Sequence, residues 1–202
     1  MGERTTLTAS DGFTLNAYRA TPEGTPRGGV VVIQEVWGIN NWVRSVADRF
    51  AQHGFLSVAP AMFDRVEFGY ESENYQPEQF VVIGELMKKF DHGTAMLDVA
   101  AAVEAASEAG KVGITGYCFG GAVSWRADLA PTIPLEMHFG DQDTGIPLEQ
   151  IEALKARYPD VPIHLYAAGH GFCNSDRPAS FNLEACTKAS ARTLDFFRKH
   201  LG

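Results

Sequence analysis

The segment Lys111–Trp125, KVGITGYCFGGAVSW, contains the turn that decides the fold. Its first residues predict a short apolar strand, and GGAVSW predicts the start of a helix. Cys118 stands between them, at the apex of a tight turn flanked by Gly116 and Gly120. Glycines are required at these positions if the strand and the helix pass too close for a Cβ atom, and the apex side chain then stands clear of the sheet.

Strands and helices alternate on both sides of this turn. A hairpin is predicted at Asp11-Gly12. Further strands are predicted at 30–38, 55–60, 133–140 and 162–167, and helical patterns lie at 42–54, about 80–109, 148–159 and 180–201. The helical stretch from 80 to 109 is predicted to break near His92-Gly93. This alternation predicts a single α/β domain over residues 1–202, with a mostly parallel central sheet flanked by helices.

Composition limits the class of protein. The chain has 202 residues, 45% of them hydrophobic, which suits one globular domain with a real core. A net charge of -8 argues against a nucleic-acid partner, because the phosphates would be repelled. Three cysteines without framework spacing favour a reducing compartment. No signal-like or membrane-spanning run is present, so a cytoplasmic protein without a membrane partner is expected.

Reactive side chains follow four of the predicted strands. Glu35 follows VVVIQ, Cys118 follows KVGITGY, Asp141 and Asp143 follow LEMHFG, and His170 follows HLYAAG. The carboxyl ends of parallel strands meet at one edge of a sheet, where active groups gather. The sequence therefore predicts a catalytic constellation at that edge.

Cys118 is the predicted nucleophile. A free cysteine is more often a small buried hydrophobe, but the glycines, the strand and the helix around this one favour a reactive position. The glycine spacing matches neither G-x-G-x-x-G nor a Walker loop, which argues against a phosphate site. The backbone N–H of Phe119, at the helix start, is predicted to stabilise an oxyanion beside the sulfur.

A thiol with a pKa of about 8.5 is only partly ionised at neutral pH, so it needs a base. His170, between two glycines in AAGHGF, is the predicted base. Asp143 is favoured over Asp141 as the acid that orients it, because Asp141 is expected to tie up its own turn by local hydrogen bonds. A zinc site with Cys173 is disfavoured, because the spacings match no zinc motif.

Glu35 is the unusual member of the predicted site. The simplest interpretation is that Glu35 is a solvated residue at the end of a strand. Next to a cysteine nucleophile, a carboxylate can instead control the ionisation of the thiol. The backbone N–H of Val36 is the predicted second oxyanion donor.

The motifs QEVWG, GYCFGG, HFGDQD and AGHGF, in this order, together with the ending RTLDFF, resemble the dienelactone hydrolase family of α/β hydrolases. The resemblance covers nearly the whole chain. It implies the α/β-hydrolase fold and a triad of Cys118, His170 and Asp143, with Glu35 as a carboxylate switch. It also implies a thioester acyl-enzyme and no metal or organic cofactor.

Two departures from the family pattern are visible. Founding members carry an arginine four residues after the histidine, where this chain has Asn174, so Arg177 and Arg65 are the candidates to replace it. Trp37 and Tyr117 are further predicted substrate contacts. The family also has another strand after the elbow helix. Here only Pro131 and Thr132 link that helix to the next strand, so one strand fewer is expected.

The leading hypothesis is therefore a cysteine hydrolase of small lactones or activated esters. Its partner is the small-molecule substrate, and the chain itself is expected to be a monomer or a weak homodimer. The alternative is a catalytically weak relative that binds a small ligand, or senses oxidants through Cys118, because a thiolate beside a histidine also suits sulfenic acid chemistry.

Overall fold

The computed structural model describes residues 2–127 and 133–202. These residues fall into two compact units, one formed by 2–127 with the final residues 201–202, and the other by 133–200. Each unit has its own β-sheet.

The first unit is built on a five-stranded mixed sheet. Its strands are β1 (Glu3–Thr8), β2 (Thr14–Ala20), β3 (Gly29–Ile33), β4 (Leu56–Pro60) and β5 (Val112–Gly116), paired in the order β1-β2-β4-β3-β5. The predicted hairpin is confirmed, because β1 and β2 pair antiparallel around a turn in which Gly12 has φ 84°. β3 lies between β4 and β5 and pairs parallel with both. Its complete burial explains its continuous Val/Ile sequence.

Four helices belong to this unit: α1 (Asn41–Gln52), α2 (Gln79–Lys89), α3 (His92–Ala106) and α4 (Phe119–Ala127). Asn40 caps α1, because its side chain accepts a hydrogen bond from the Val43 N–H at 3.2 Å. Asp91 caps α3 in the same way through the Thr94 N–H at 2.8 Å, and this confirms the predicted break in the helical stretch. Apolar residues of β3, α3 and α4 form the core that fixes the start of α4.

The second unit is smaller. Strands β6 (Met137–Gly140) and β7 (Ile163–Tyr166) form a parallel pair, and helices α5 (Leu148–Arg157) and α6 (Leu183–Leu201) belong to the same part of the chain. His138 pairs with His164 in register, and Gly140 with Tyr166. The core of this unit packs Tyr166 and residues after it against the first half of α6.

The strand predicted at 133–140 is shorter in the structure. Residues 133–136 form no strand, and β6 begins only at Met137. Pro131 and Thr132, on which the expectation of a shortened connection rests, lie outside the described residues. Three of the five strand pairings in the described chain are parallel, as a mostly parallel α/β protein requires.

Candidate active site

Cys118 lies between the end of β5 and the first residue of α4. Its φ of 54° makes it the one non-glycine residue with positive φ in the described parts of the chain. Such a conformation costs an L-residue energy and persists only where the surroundings enforce it. The Cys118 carbonyl accepts the Gly121 N–H at 3.0 Å, which anchors the turn to the helix. The side chain is exposed, so the buried-hydrophobe interpretation does not apply.

Two glycines make this turn sterically feasible. A Cβ atom on Gly116 would overlap the backbone of Gly120, and a Cβ atom on Gly120 would overlap the carbonyls of Ile33 and Gln34. The predicted need for small residues on both sides of Cys118 is therefore confirmed. The same contacts bring the start of α4 directly against the end of β3, immediately before Glu35.

Glu35 is 1% exposed, so it is not a solvated strand end. Removing a carboxylate from water costs free energy unless the carboxylate has partners or is protonated. The burial of a glutamate at this position therefore calls for a functional explanation. Its backbone is held by Gln34, whose side-chain amide donates to the Glu35 carbonyl at 3.3 Å. The side-chain oxygen Oε1 of Gln34 accepts the Met62 N–H at 3.1 Å. Gln34, also 1% exposed, was not singled out in the sequence; a polar residue at the end of an all-apolar strand was the available signal.

The predicted oxyanion residues flank the two strand ends. Phe119 buries its ring in the core, stacked on Phe63 at 5.3 Å between centroids and edge-on to Phe90 at 4.9 Å. This packing fixes the first peptide of α4. Val36 is half-buried and packs against the same core. Phe119 is thus the first residue of α4, whereas Val36 lies in the turn that follows β3.

The predicted substrate contacts in this unit differ from one another. Trp37 is 1% exposed and packs edge-on against Tyr75 and Phe80, at 5.0 and 5.3 Å. Its indole is therefore part of the core, whereas a contact with the substrate was predicted for this residue. Tyr117 is half-buried next to Cys118 in the chain and packs edge-on against Trp42 at 4.9 Å.

Arg65, a predicted candidate to meet the substrate, is engaged in ion pairs within the protein. Its guanidinium forms ion pairs with Asp11 and Asp98, each at 2.8 Å, and all three of its nitrogens donate to these carboxylates. Burial raises the pKa of the Asp98 carboxyl, and the neighbouring Arg65 charge opposes that effect. The guanidinium is thus engaged by two protein carboxylates instead of being open to a substrate.

In the second unit, the loops that follow β6 and β7 bring Asp143 and His170 together. The Nδ1 atom of His170 lies 2.7 Å from Oδ2 of Asp143, so the imidazole N–H donates to the carboxylate. The Asp143 side chain is 6% exposed, whereas that of His170 is 41% exposed. The carboxylate therefore orients the ring from the inside, and Nε2 carries the lone pair in this tautomer.

The roles of the two aspartates are more unequal than expected. Asp143 also ties the turn, because its Oδ1 accepts the Gly145 N–H at 2.8 Å. That local bond had been expected of Asp141. Asp141 instead extends the strand pairing through its backbone N–H, which donates to the Tyr166 carbonyl at 2.9 Å, while its side chain is exposed. Asp143 thus combines both hydrogen-bonding functions.

The segment after His170 is compact. Asn174, at the position of the family arginine, is 1% exposed, and its side-chain oxygen accepts the Asp176 N–H at 3.0 Å. Arg177 is half-buried one turn later, with its N–H bonded to the Asn174 carbonyl at 3.1 Å. Asn174 is therefore part of the loop structure.

Two further properties concern partners. The described residues contain no group of three or more His, Cys, Asp or Glu side chains arranged to hold a metal ion. Among the helices of residues 2–127 and 133–202, none combines the length and the apolar character that crossing a bilayer would take.

Comparison with known proteins gives a consistent assignment. The model of the dienelactone hydrolase family matches residues 15–132 and 127–201. Carboxymethylenebutenolidase 1 of Cupriavidus pinatubonensis is 27% identical, over 94% of this chain and 93% of that protein. The carboxymethylenebutenolidase of Pseudomonas putida is 25% identical, over 96% and 95%.

Solved structures agree on the fold. A dienelactone hydrolase-like promiscuous phosphotriesterase from metagenomic libraries matches with a TM-score of 0.79 at 19% identity, over 100% of this chain and 99% of that chain. At this identity the likeness concerns the fold alone. The predicted α/β-hydrolase architecture and the resemblance drawn from the motifs are both confirmed, and the chain belongs to the dienelactone hydrolase family.

Proposed function

We propose that this chain hydrolyses small lactones or activated carboxylic esters, with Cys118 as nucleophile, His170 as general base and Asp143 as the acid that orients it. The observation that carries the proposal is the exposed cysteine at a strained apex, in a member of a hydrolase family. An apex residue kept in an unfavourable conformation by two obligatory glycines is expensive to maintain for packing alone.

The second supporting observation is the imidazole of His170. Its Nδ1–H is engaged by Asp143 at 2.7 Å, and its side chain is 41% exposed. A neutral histidine in this tautomer accepts a proton at Nε2 and becomes an imidazolium that the carboxylate stabilises. A base of this kind converts a thiol into the nucleophilic thiolate at neutral pH.

The reaction then follows from these groups. The thiolate of Cys118 attacks the carbonyl carbon, and the carbonyl oxygen becomes an oxyanion that accepts hydrogen bonds from the backbone N–H groups of Phe119 and Val36. The C–O bond breaks, the leaving oxygen takes the proton held by His170, and a thioester remains. Water, deprotonated by His170, attacks the thioester; the carboxylic acid leaves and the thiol is restored.

Glu35 has the role of controlling the thiol in this scheme. Glu35 is buried, and it directly follows Gln34, whose carbonyl lies against Gly120 of the elbow. A negative charge near a thiol disfavours the thiolate, while a carboxylate that takes the thiol proton favours it. Glu35 therefore keeps the Cys118 thiol in a less reactive form in the resting enzyme. When substrate is bound, Glu35 allows the thiolate to form.

The residues that could take the place of the family arginine narrow the class of substrate. Asn174 carries no charge, and Arg65 is engaged by two carboxylates. Arg177, in the loop of His170, is the remaining candidate to meet a substrate carboxylate. We infer neutral or weakly anionic lactones and esters as the substrates.

The exposure of Cys118 also supports a second function, in which the thiolate reacts with a peroxide and forms a sulfenic acid. Hydrolysis of p-nitrophenyl acetate separates the two. We expect turnover by the wild-type chain that iodoacetamide abolishes, and none by Cys118→Ala with an unchanged melting temperature. Cys118→Ser should keep only a trace, since a serine needs a stronger base.

Cys173→Ala is the matched control, because it removes a half-buried thiol and should leave turnover intact. Full activity in Cys118→Ala would refute the assignment of the nucleophile. Stoichiometric sulfenylation without turnover would favour the sensor.

A further inference from the structure

A chain of hydrogen-bonded polar side chains runs through the second unit, apart from the proposed catalytic residues. Tyr166 is its centre. The Tyr166 hydroxyl lies 2.7 Å from Nδ1 of His138 and 3.0 Å from a guanidinium nitrogen of Arg192. Nε2 of His138 lies 2.8 Å from Glu136, and the same carboxylate is 3.4 Å from His164. This chain therefore joins three elements. They are β6 together with the residue just before it, β7, and α6.

The direction of these hydrogen bonds follows from the donors. Arg192 can only donate, so the Tyr166 oxygen accepts from it. The Tyr166 O–H then donates to Nδ1 of His138, which leaves Nε2–H of His138 to donate to Glu136. Burial alone would raise the pKa of the Glu136 carboxyl, but the two histidines outweigh it and the pKa is lowered, so Glu136 is the ionised acceptor at the end.

Tyr166 also connects the two loops that carry the Asp143–His170 pair. Its carbonyl accepts the Asp141 N–H at 2.9 Å and the Ala168 N–H at 2.8 Å. Each donor lies two residues before a member of the pair. A rotation of the Tyr166 peptide would therefore move both loops at once.

Two more contacts make this connection tight. The Tyr166 ring packs against Phe172, two residues beyond His170, at 5.3 Å between centroids. A Cβ atom on Gly140 would overlap the Ala168 carbonyl, so the two backbones approach closely at this point. Small displacements at Tyr166 thus reach His170 without being absorbed.

We propose that Tyr166 is a positioning residue, whose hydroxyl, held between His138 and Arg192, sets the geometry of the Asp143–His170 hydrogen bond. Tyr166 does not touch the substrate and does not exchange a proton with it. The expected effect on catalysis rests on the proposed function. The expected effect on the Asp143–His170 hydrogen bond rests only on the contacts within the second unit.

The test is Tyr166→Phe, which keeps the ring and its packing and removes only the hydroxyl. The matched control is Tyr158→Phe, which removes a hydroxyl that accepts from Arg157 at 2.9 Å beyond the end of α5. The first measurement is the proton NMR resonance of the His170 Nδ1–H, assigned with His170→Asn. We expect this resonance to shift upfield or broaden in Tyr166→Phe and to stay in place in Tyr158→Phe.

The second measurement is ester hydrolysis. A displaced base should lower kcat by about tenfold and leave KM nearly unchanged, because binding does not depend on the imidazole. Arg192→Met should act in the same direction, and Arg192→Lys, which restores a donor, should recover part of the loss. The exposed Arg192 offers this route even if Tyr166→Phe folds poorly.

The outcomes separate the two proposals. An unchanged His170 resonance in folded Tyr166→Phe and Arg192→Met would overturn the positioning role, whatever the enzyme does. Absence of esterase activity in the wild type would overturn the proposed function, while the resonance would still decide the role of Tyr166.

Discussion

The geometry of the elbow can be tested with two neighbouring glycines that differ in surroundings. A Cβ atom on Gly120 would overlap the carbonyls of Ile33 and Gln34, which are backbone atoms and cannot rotate away. A Cβ atom on Gly121 would lie 3.5 Å from the Gly116 carbonyl oxygen, an ordinary contact. Gly120→Ala and Gly121→Ala therefore add the same methyl group to the same helix in opposite situations.

The magnitudes follow from these contacts. Replacing glycine by alanine within a helix stabilises it by about 0.5–1 kcal/mol, and this applies at Gly121. At Gly120 the same gain is opposed by overpacking, which costs about 1–3 kcal/mol in ordinary cores and more where only backbone can yield. For a chain of 202 residues, each kcal/mol moves the melting temperature by about 2–4 °C. Gly121→Ala should melt slightly above the wild type, and Gly120→Ala several degrees below it.

Thermal unfolding followed by circular dichroism measures both variants, and p-nitrophenyl acetate reports on the elbow. We expect Gly120→Ala to lose most turnover, because the methyl group pushes Phe119 and its N–H away from the end of β3. Gly121→Ala should keep it. Equal melting temperatures and equal rates for the two variants would refute the close approach of α4 to β3.

Three further predictions concern single side chains. Asp143→Asn should lower kcat by about 10⁴-fold, because the imidazole loses its tautomer, while Asp141→Asn should have little effect; the reverse result would mean that the wrong aspartate was chosen. Glu35→Gln should alkylate with iodoacetamide at an equal or faster rate yet cleave ester more slowly, and identical pH profiles for labelling and kcat/KM in both proteins would reduce Glu35 to a structural residue. Burial, together with the neighbouring His138 and Arg192, lowers the pKa of His164 from 6.5, so the folded state resists its protonation, and stability that is complete above pH 6.5 is lost as the pH falls below it. His164→Gln should therefore lose less stability between pH 7.5 and 5 than the wild type, measured as the urea midpoint; an equal loss in both would contradict this assignment.

Much of the fold was readable because its signals are local. The hairpin at Asp11-Gly12 and the break near His92-Gly93 depend on backbone preferences within a few residues, and the structure confirms both. The elbow around Cys118 belongs to the same class, since the glycines that permit it are its immediate neighbours. Conformational restrictions of this kind are written into short segments.

Tertiary structure decided which side chains interact with one another. Arg65 was predicted at the substrate, but it pairs with Asp11 and Asp98, which are 54 and 33 residues away in the chain. The burial of Glu35 and the hydrogen bond that distinguishes Asp143 from Asp141 depend equally on which elements pack together. The sequence by itself determined where Cys118, the proposed nucleophile, stands and how its turn is built. Which charges meet, and which are removed from water, was decided only by packing, because electrostatic partners are selected by distance in space and not along the chain.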